Sequence, residues 1–202
     1  MQPSDRLARE APVVMLAPVS TRFPLMVSAV ALLLGAGASS AQTRAFVAGG
    51  AMVPVGDFAS VAEPGAGVAA GVLLGAGTRK LTMGVEASYG RGNHSSGDAR
   101  SDVYGLTGLV GYTLGGLGPV ELTPLVGIGA LVHARRSAAL PGLDATQAGA
   151  GASLGLRATL PVGGVRAFAA GSYVLGFGDV NTAAFPTELL SVTAGVTISL
   201  GG

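Results

Sequence analysis

The clearest pattern in this chain is an alternation of apolar and small polar residues near its C-terminal end. From Leu190 to Leu200 the even positions carry Leu, Val, Ala, Val, Ile and Leu, and the odd positions carry only Ser, Thr or Gly. A strand places successive side chains on opposite faces, whereas a helix would mix the two sets around its axis. The pattern therefore predicts a β-strand with one apolar face and one small polar face.

The same alternation recurs upstream and predicts seven further strands, which makes eight. They are predicted at Phe46–Val55, Ala66–Ala76, Leu81–Tyr89, Tyr104–Leu114, Leu122–Val132, Ala148–Leu160 and Val165–Leu175. The first and the last of these alternate most weakly and are predicted mainly from their positions. Each segment can supply the roughly 9–11 residues that a tilted membrane strand needs.

Composition separates a membrane barrel from a soluble sandwich. The 202 residues are 49% hydrophobic but only 11% charged, whereas a soluble domain carries about 25% charged residues. The polar faces of the predicted strands are Gly, Ser and Thr, which suit a narrow barrel interior better than a water-facing surface. We therefore predict an all-β protein: an eight-stranded antiparallel up-and-down transmembrane β-barrel, with short and long connections in alternation.

A targeting segment precedes the predicted barrel. Arg22 is followed by an apolar run from Leu25 to Ala38 and by small residues that end at Ala41. This order is typical of a secretory signal peptide, and the run is shorter than the about 20 residues of a membrane-spanning helix. We predict a helical signal peptide over residues 1–41, cleaved after Ala41, and a barrel over residues 42–202; translation could start at Met1 or at Met15.

Four charged residues are predicted to face the barrel interior. Glu86 and Arg157 lie in the middle of strands on the small polar face, and Glu121 and Arg166 lie close to strand ends. Their shared phase predicts an ion-pair cluster in the lumen. The alternative is that side chains such as Arg166 extend from a strand end into the interface region.

Tyrosines on the predicted strands indicate aromatic girdles at the membrane surfaces. Tyr104 and Tyr112 share a face and are eight residues apart, which corresponds to roughly 20 Å along the axis of a tilted barrel. Tyr89 and Tyr173 are assigned to the same girdles.

Three segments carry a family resemblance. They are GGAMVPVGDF (Gly49–Phe58), the strand opening Pro124–Ala130 and the closing SVTAGVTISL (Ser191–Leu200). From about residue 43 onwards the chain resembles the small outer-membrane barrels of the OmpA/OmpX-like group. The resemblance implies an integral barrel of a Gram-negative outer membrane, inserted from the periplasm by the outer-membrane assembly machinery. We further expect a monomer surrounded by outer-membrane lipid and lipopolysaccharide.

Candidate chemistry is sparse. His94, Ser96 and Asp98 could form a hydrolase site in a predicted outer loop, but such a loop offers no rigid support for a nucleophile and its base. His133, beside Arg135 and Arg136, is interpreted as marking the membrane interface or a contact with lipopolysaccharide phosphate. With two histidines and no cysteine, no metal is expected, and no cofactor or nucleotide motif is present.

The leading hypothesis is a non-enzymatic outer-membrane barrel with a structural or surface-interaction role, without a wide pore. The net charge of +1 and the dispersed Lys and Arg residues give no case for nucleic-acid binding. Two alternatives stay open at this point. One is an enzyme that modifies envelope lipids through His94 and Ser96, and the other is a soluble periplasmic barrel that binds an apolar ligand.

Overall fold

The chain forms a closed antiparallel β-barrel. The computed structural model describes residues 42–76, 80–95, 97, 99–137, 144–177 and 187–200. The predicted signal peptide and its cleavage site at Ala41 lie outside the described residues. The elements are β1 (Gln42–Pro54), a 3-10 helix (Gly56–Ser60), β2 (Gly65–Ala76), β3 (Leu81–Asn93), β4 (Ala99–Tyr112), β5 (Leu114–Leu117), β6 (Val120–Ser137), β7 (Ala145–Val162), β8 (Val165–Phe177) and β9 (Thr187–Ser199).

The strands follow one another around the barrel in sequence order. Consecutive strands pair with each other except β4 and β5, β1 also pairs with β9, and β4 pairs with β6. The short β5 begins one residue after β4 and also pairs with β6, with a register irregularity between Leu114 and Leu117, so β4 and β5 together form one wall strand. The wall therefore has eight strands, as the sequence predicts, and the pairings of β1 with β9 and of β4 with β6 close the sheet.

The two ends of the barrel differ in the length of their connections. At one end, connections of two to four residues join β2 to β3, β5 to β6 and β7 to β8, and both chain ends of the barrel lie there. Gly118 and Gly163 occupy these turns with φ of 70° and 60°, a conformation that costs an L-residue steric energy. At the other end the four connections span five to ten residues. We call these the short-turn end and the long-connection end.

Alternation along each strand divides the wall into two faces. The outward face carries large apolar side chains in the middle of most strands, each between 47% and 68% exposed. They include Val47, Val68, Leu106, Ile128, Leu154 and Val192. The inward face is largely small, so that backbone and side chains fill the interior of the narrow barrel.

The interior is more apolar than the sequence pattern predicts. One buried cluster contains Phe46, Leu73, Leu109 and Phe168, which face inward from four different strands. Phe46 lies in β1 and Phe168 in β8, the strands whose predicted alternation is weakest, because apolar residues there occupy both faces. Gly71 leaves the space that the Phe46 ring occupies.

Candidate functional site

The long-connection end of the lumen is capped by the connection between β1 and β2. Its 3-10 helix turns the Phe58 side chain into the barrel, where that side chain is buried with Val103, Leu131 and Leu189. The Phe58 ring meets the His133 ring edge-on, with 5.1 Å between their centroids. The first connection thus obstructs this end of the barrel.

Arg157 lies deeper in the lumen, between two aromatic rings. Its guanidinium carbon is 4.6 Å from the centroid of Phe46 and 4.4 Å from that of Phe168, and the residue is only 6% exposed. An arginine over an aromatic face is attracted by the negative charge density of the ring, most strongly when water is excluded. Two aromatic rings, and not a nearby carboxylate among the described residues, thus stabilise this cation.

The four predicted lumen residues all lie on the inward face, but they do not form a single ion-pair cluster. Glu121 and Arg166 form a salt bridge near the short-turn end, where both side chains are partly exposed. Glu86 and Arg157, both described, line the same cavity without lying within ion-pair distance of each other. The separation arises because Arg157 packs on the phenyl rings, whose inward orientation the sequence pattern does not indicate.

The interior space that remains is small. A cavity of about 100 Å³ lies between the lumen walls and is lined by Glu86, Arg157, Phe46 and Phe168 among others. Sites for drug-sized ligands have about 300–1,000 Å³. The cavity is therefore too small for a drug-sized ligand.

A second group of charges lies on the outward face at the long-connection end. It consists of Arg91 on β3, Arg100 and Asp102 on β4, Arg136 on β6, and the hydroxyl of Tyr89, and we call it the rim cluster. Asp102 Oδ1 accepts hydrogen bonds of 2.8 Å from both Arg91 Nε and Tyr89 Oη. Asp102 Oδ2 lies 3.3 Å from Arg100 Nε and 3.7 Å from Arg136 Nε.

The burial of Asp102 follows from these contacts. Its side chain is 1% exposed although it points away from the lumen, because the three arginines and Tyr89 cover it. Register brings the group together: Arg91 pairs with Asp102, and Arg100 pairs with Arg136. The rim cluster therefore depends on three neighbouring strands.

The predicted girdle tyrosines are distributed unequally between the two ends. Tyr89, Tyr104 and Tyr173 lie towards the long-connection end, and Tyr112 lies towards the short-turn end. Tyr104 and Tyr112 are exposed on the outward face, while Tyr89 packs on Tyr104 with 5.1 Å between ring centroids. Tyr173 donates a hydrogen bond of 3.0 Å to Glu188 Oε2.

The charged residues next to His133 lie on different faces of β6. His133 and Arg135 share the inward phase of β6, whereas Arg136 is on the outward face in the rim cluster. His94 lies just after β3 and forms a bridge with Ala62; burial, and then the charge of Arg135, lower the pKa of His94. Ser96 and Asp98, the other members of the hypothetical hydrolase site, lie outside the described residues.

The rim cluster and the Phe58 cap are the features that the sequence does not reveal. Arg91, Arg100 and Asp102 lie on the same face of one hairpin as Tyr89 and Tyr104. The alternation along these two strands could have predicted that shared face. Arg136 joins them only through the pairing of β4 with β6, which sequence spacing does not specify. Phe58 lies outside the strands, so the alternation of apolar and polar residues does not indicate that its connection folds into the barrel.

Within the described ranges no group of three or more His, Cys, Asp and Glu residues is arranged to hold a metal ion.

The described residues contain no helix that is both long enough and apolar enough to cross a membrane.

Comparison with known proteins supports the fold. No protein-family model matches the chain, and no curated protein matches it. Neisserial surface protein A (NspA) is similar in structure, with a TM-score of 0.55 and 15% identity over 81% of this chain and 99% of the other. Ail, the attachment invasion locus protein of Yersinia pestis, aligns with a TM-score of 0.44 and 14% identity over 78% of this chain and 97% of the other. At such low identity the likeness to NspA shows a shared fold and nothing finer.

Proposed function

We propose that this chain is an integral barrel of a Gram-negative outer membrane, with a structural or surface-interaction role. The observation that carries the proposal is the belt of apolar side chains on the outward face of a closed sheet. Monomeric soluble proteins rarely expose contiguous apolar patches of more than a few hundred Å². In a bilayer the same surface faces hydrocarbon, and closure of the sheet pairs the backbone groups that an open edge would expose.

The orientation in the membrane follows from the connections. In outer-membrane barrels the short turns face the periplasm and the longer loops face outward. The long-connection end, with the Phe58 cap and the rim cluster, is therefore assigned to the cell surface. A closed sheet also offers no edge strand for pairing, which favours a monomer.

Extraction and gel migration test this proposal. Residues 42–202 are exported behind a signal peptide, and membranes are treated with carbonate and then with detergent. We expect the protein to resist carbonate, to require detergent and to migrate faster before boiling than after it, because the closed barrel resists unfolding by the denaturing detergent. A protein that carbonate releases and that shows no shift would contradict the proposal and favour the soluble periplasmic barrel.

The filled lumen argues against a wide pore. Phe58 obstructs the outer end, Arg157 packs between Phe46 and Phe168 in the interior, and the Glu121–Arg166 pair lies towards the short-turn end. We predict that the purified protein gives no porin-sized conductance steps in planar bilayers. Stepwise conductance of a wide channel in the wild-type protein would refute this part of the proposal.

The enzyme hypothesis has less support. Of its three candidate residues only His94 is described, and Ser96 and Asp98 lie outside the described residues. A structural or surface role needs only the rigid barrel and its outer end. Loss of a lipid modification on replacing His94 and Ser96 together would reverse this preference.

A further inference from the structure

The rim cluster carries an excess of positive charge at an end of the barrel where Asp57, Glu63, Asp144 and Glu188 also lie. Three arginines surround one carboxylate, so the group has a net charge of +2 at neutral pH. Arg100 and Arg136 lie directly opposite each other on paired strands, an arrangement in which like charges repel. Asp102 offsets part of this repulsion and leaves a net positive charge on these three strands.

The guanidinium groups are held in place and yet remain accessible. Arg91, Arg100 and Arg136 are 52%, 47% and 54% exposed, whereas Asp102 is 1% exposed. Each arginine approaches Asp102 through Nε. Among the described residues, none is hydrogen-bonded to the terminal nitrogens of Arg100 or Arg136. These nitrogens are the donors with which arginine binds phosphate and carboxylate oxygens.

The position of the cluster indicates where the anion would come from. Asp102 lies two residues beyond Tyr104, or about 7 Å along the strand, and Leu106 and Ile128 continue the same outward face as exposed apolar residues. In the proposed membrane, tyrosine rings mark the level of the interface. The arginines thus lie just above the hydrocarbon, at the level of lipid headgroups.

We propose that the rim cluster binds a phosphate group on a glycolipid headgroup of the outer leaflet. The inference rests on the proposed membrane location and assigns a ligand class to one face of the barrel. Asp102 and Tyr89 act as positioning residues that fix the arginines before the ligand arrives, which lowers the entropy cost of binding. The phosphate oxygens receive charge-assisted hydrogen bonds from the terminal guanidinium nitrogens.

Titration with a phosphorylated glycolipid tests the site. The full mature barrel in detergent is titrated with fluorescent bisphosphorylated lipid A, and in parallel with lipid A from which the phosphates have been removed. The test variant is the double substitution Arg100→Gln and Arg136→Gln, which leaves Arg91 paired with Asp102. The matched control is Lys80→Gln, which removes an exposed cation at the short-turn end.

We expect the double variant to bind bisphosphorylated lipid A at least tenfold more weakly than the wild type, because two charge-assisted donors are lost. Lys80→Gln should bind as the wild type does, and lipid A without phosphates should not distinguish the three proteins. Arg136→Gln alone, which removes the longest contact to Asp102, should show an intermediate loss and serves if the double variant does not fold. Folding of each variant is checked by its gel shift.

Two results would overturn the inference while leaving the membrane barrel intact. One is equal binding of bisphosphorylated lipid A by the wild type and by every folded arginine variant. The other is that inorganic phosphate binds the wild type as tightly as the glycolipid does and displaces the glycolipid. That result would assign the site to free phosphate. A wild-type protein that shows no gel shift and no need for detergent would instead remove the proposed function, and the inference with it.

Discussion

Arginine is used in two opposite ways in the lumen and at the rim. Arg157 is buried in the interior, where it packs between two phenyl rings and no described carboxylate lies within ion-pair distance. At the rim it is the carboxylate of Asp102 that is buried, while the three arginines around it stay half exposed. The lumen arginine contributes packing to a filled interior, whereas the rim arginines present a charged surface.

The difference follows from how each charge is solvated. A buried charge is costly unless other groups replace its water, and at Arg157 the faces of two phenyl rings do so. At the rim each guanidinium keeps part of its contact with solvent. The buried charge there is that of Asp102, which the three arginines and the Tyr89 hydroxyl surround. We therefore expect stability to depend strongly on Arg157, less on Asp102 and little on the individual rim arginines.

The largest effect is expected from Arg157→Ala. The substitution removes both cation–π contacts and leaves a void beside Phe46 and Phe168, so we expect a loss of about 3 kcal/mol in the free energy of unfolding. Arg157→Met retains most of the volume without the charge and should lose less. Urea unfolding in lipid vesicles, followed by far-ultraviolet circular dichroism, measures both. If the methionine variant is as stable as the wild type, the cation–π contacts make no net contribution to the free energy of unfolding.

An intermediate effect is expected from Asp102→Asn. The variant removes the negative charge among three cations, and we expect a loss of about 2 kcal/mol, below the 3–5 kcal/mol of a fully buried pair because the arginines stay solvated. Since the remaining repulsion is between exposed charges, high salt should reduce the loss. Unfolding at low and high salt checks this. The same loss at both concentrations would mean that packing, and not charge, determines the role of Asp102.

The smallest effect is expected from Arg100→Gln or Arg136→Gln alone. Exposed ion pairs contribute little, so each variant should stay within about 1 kcal/mol of the wild type in the free energy of unfolding. Either substitution also relieves repulsion between the two facing arginines. Urea unfolding under the conditions used for Arg157→Ala provides the comparison. A loss as large as that of Arg157→Ala would contradict the distinction between the two regions.

The sequence predicts the barrel because its signal is local. Alternation within each strand, as in Leu190–Leu200, shows which side chains share a face, and the low charge content favours apolar residues outside. The number of strands and their order follow from the same pattern. Strand lengths are less well predicted: β6 extends to Ser137, five residues beyond its predicted end at Val132, because pairing continues beyond the apolar belt.

The sites are harder to predict because they depend on non-local register and on side-chain direction. The pairing of Arg100 with Arg136 requires the alignment of β4 with β6, which no motif in either strand specifies. Because the residues next to Phe46 are also apolar, alternation does not predict that the Phe46 side chain points inward. The placement of Arg157 between Phe46 and Phe168 therefore emerges only in three dimensions, as does the Phe58 cap.

The central claim is that the apolar outward face of the barrel is in contact with lipid hydrocarbon. The chain contains no cysteine, so Ile128→Cys places a single thiol in the middle of the outward face, where Ile128 is 68% exposed. The matched control is Ala59→Cys on the exposed side of the 3-10 helix. The measurement is the labelling rate of each thiol by a membrane-impermeant maleimide, with the protein folded in lipid vesicles. We predict that the cysteine at 128 resists labelling until detergent and denaturant are added, while the cysteine at 59 labels readily in the fraction that faces the solution. Rapid labelling of both sites in the folded protein would mean that water covers the apolar face, and the membrane barrel would be refuted.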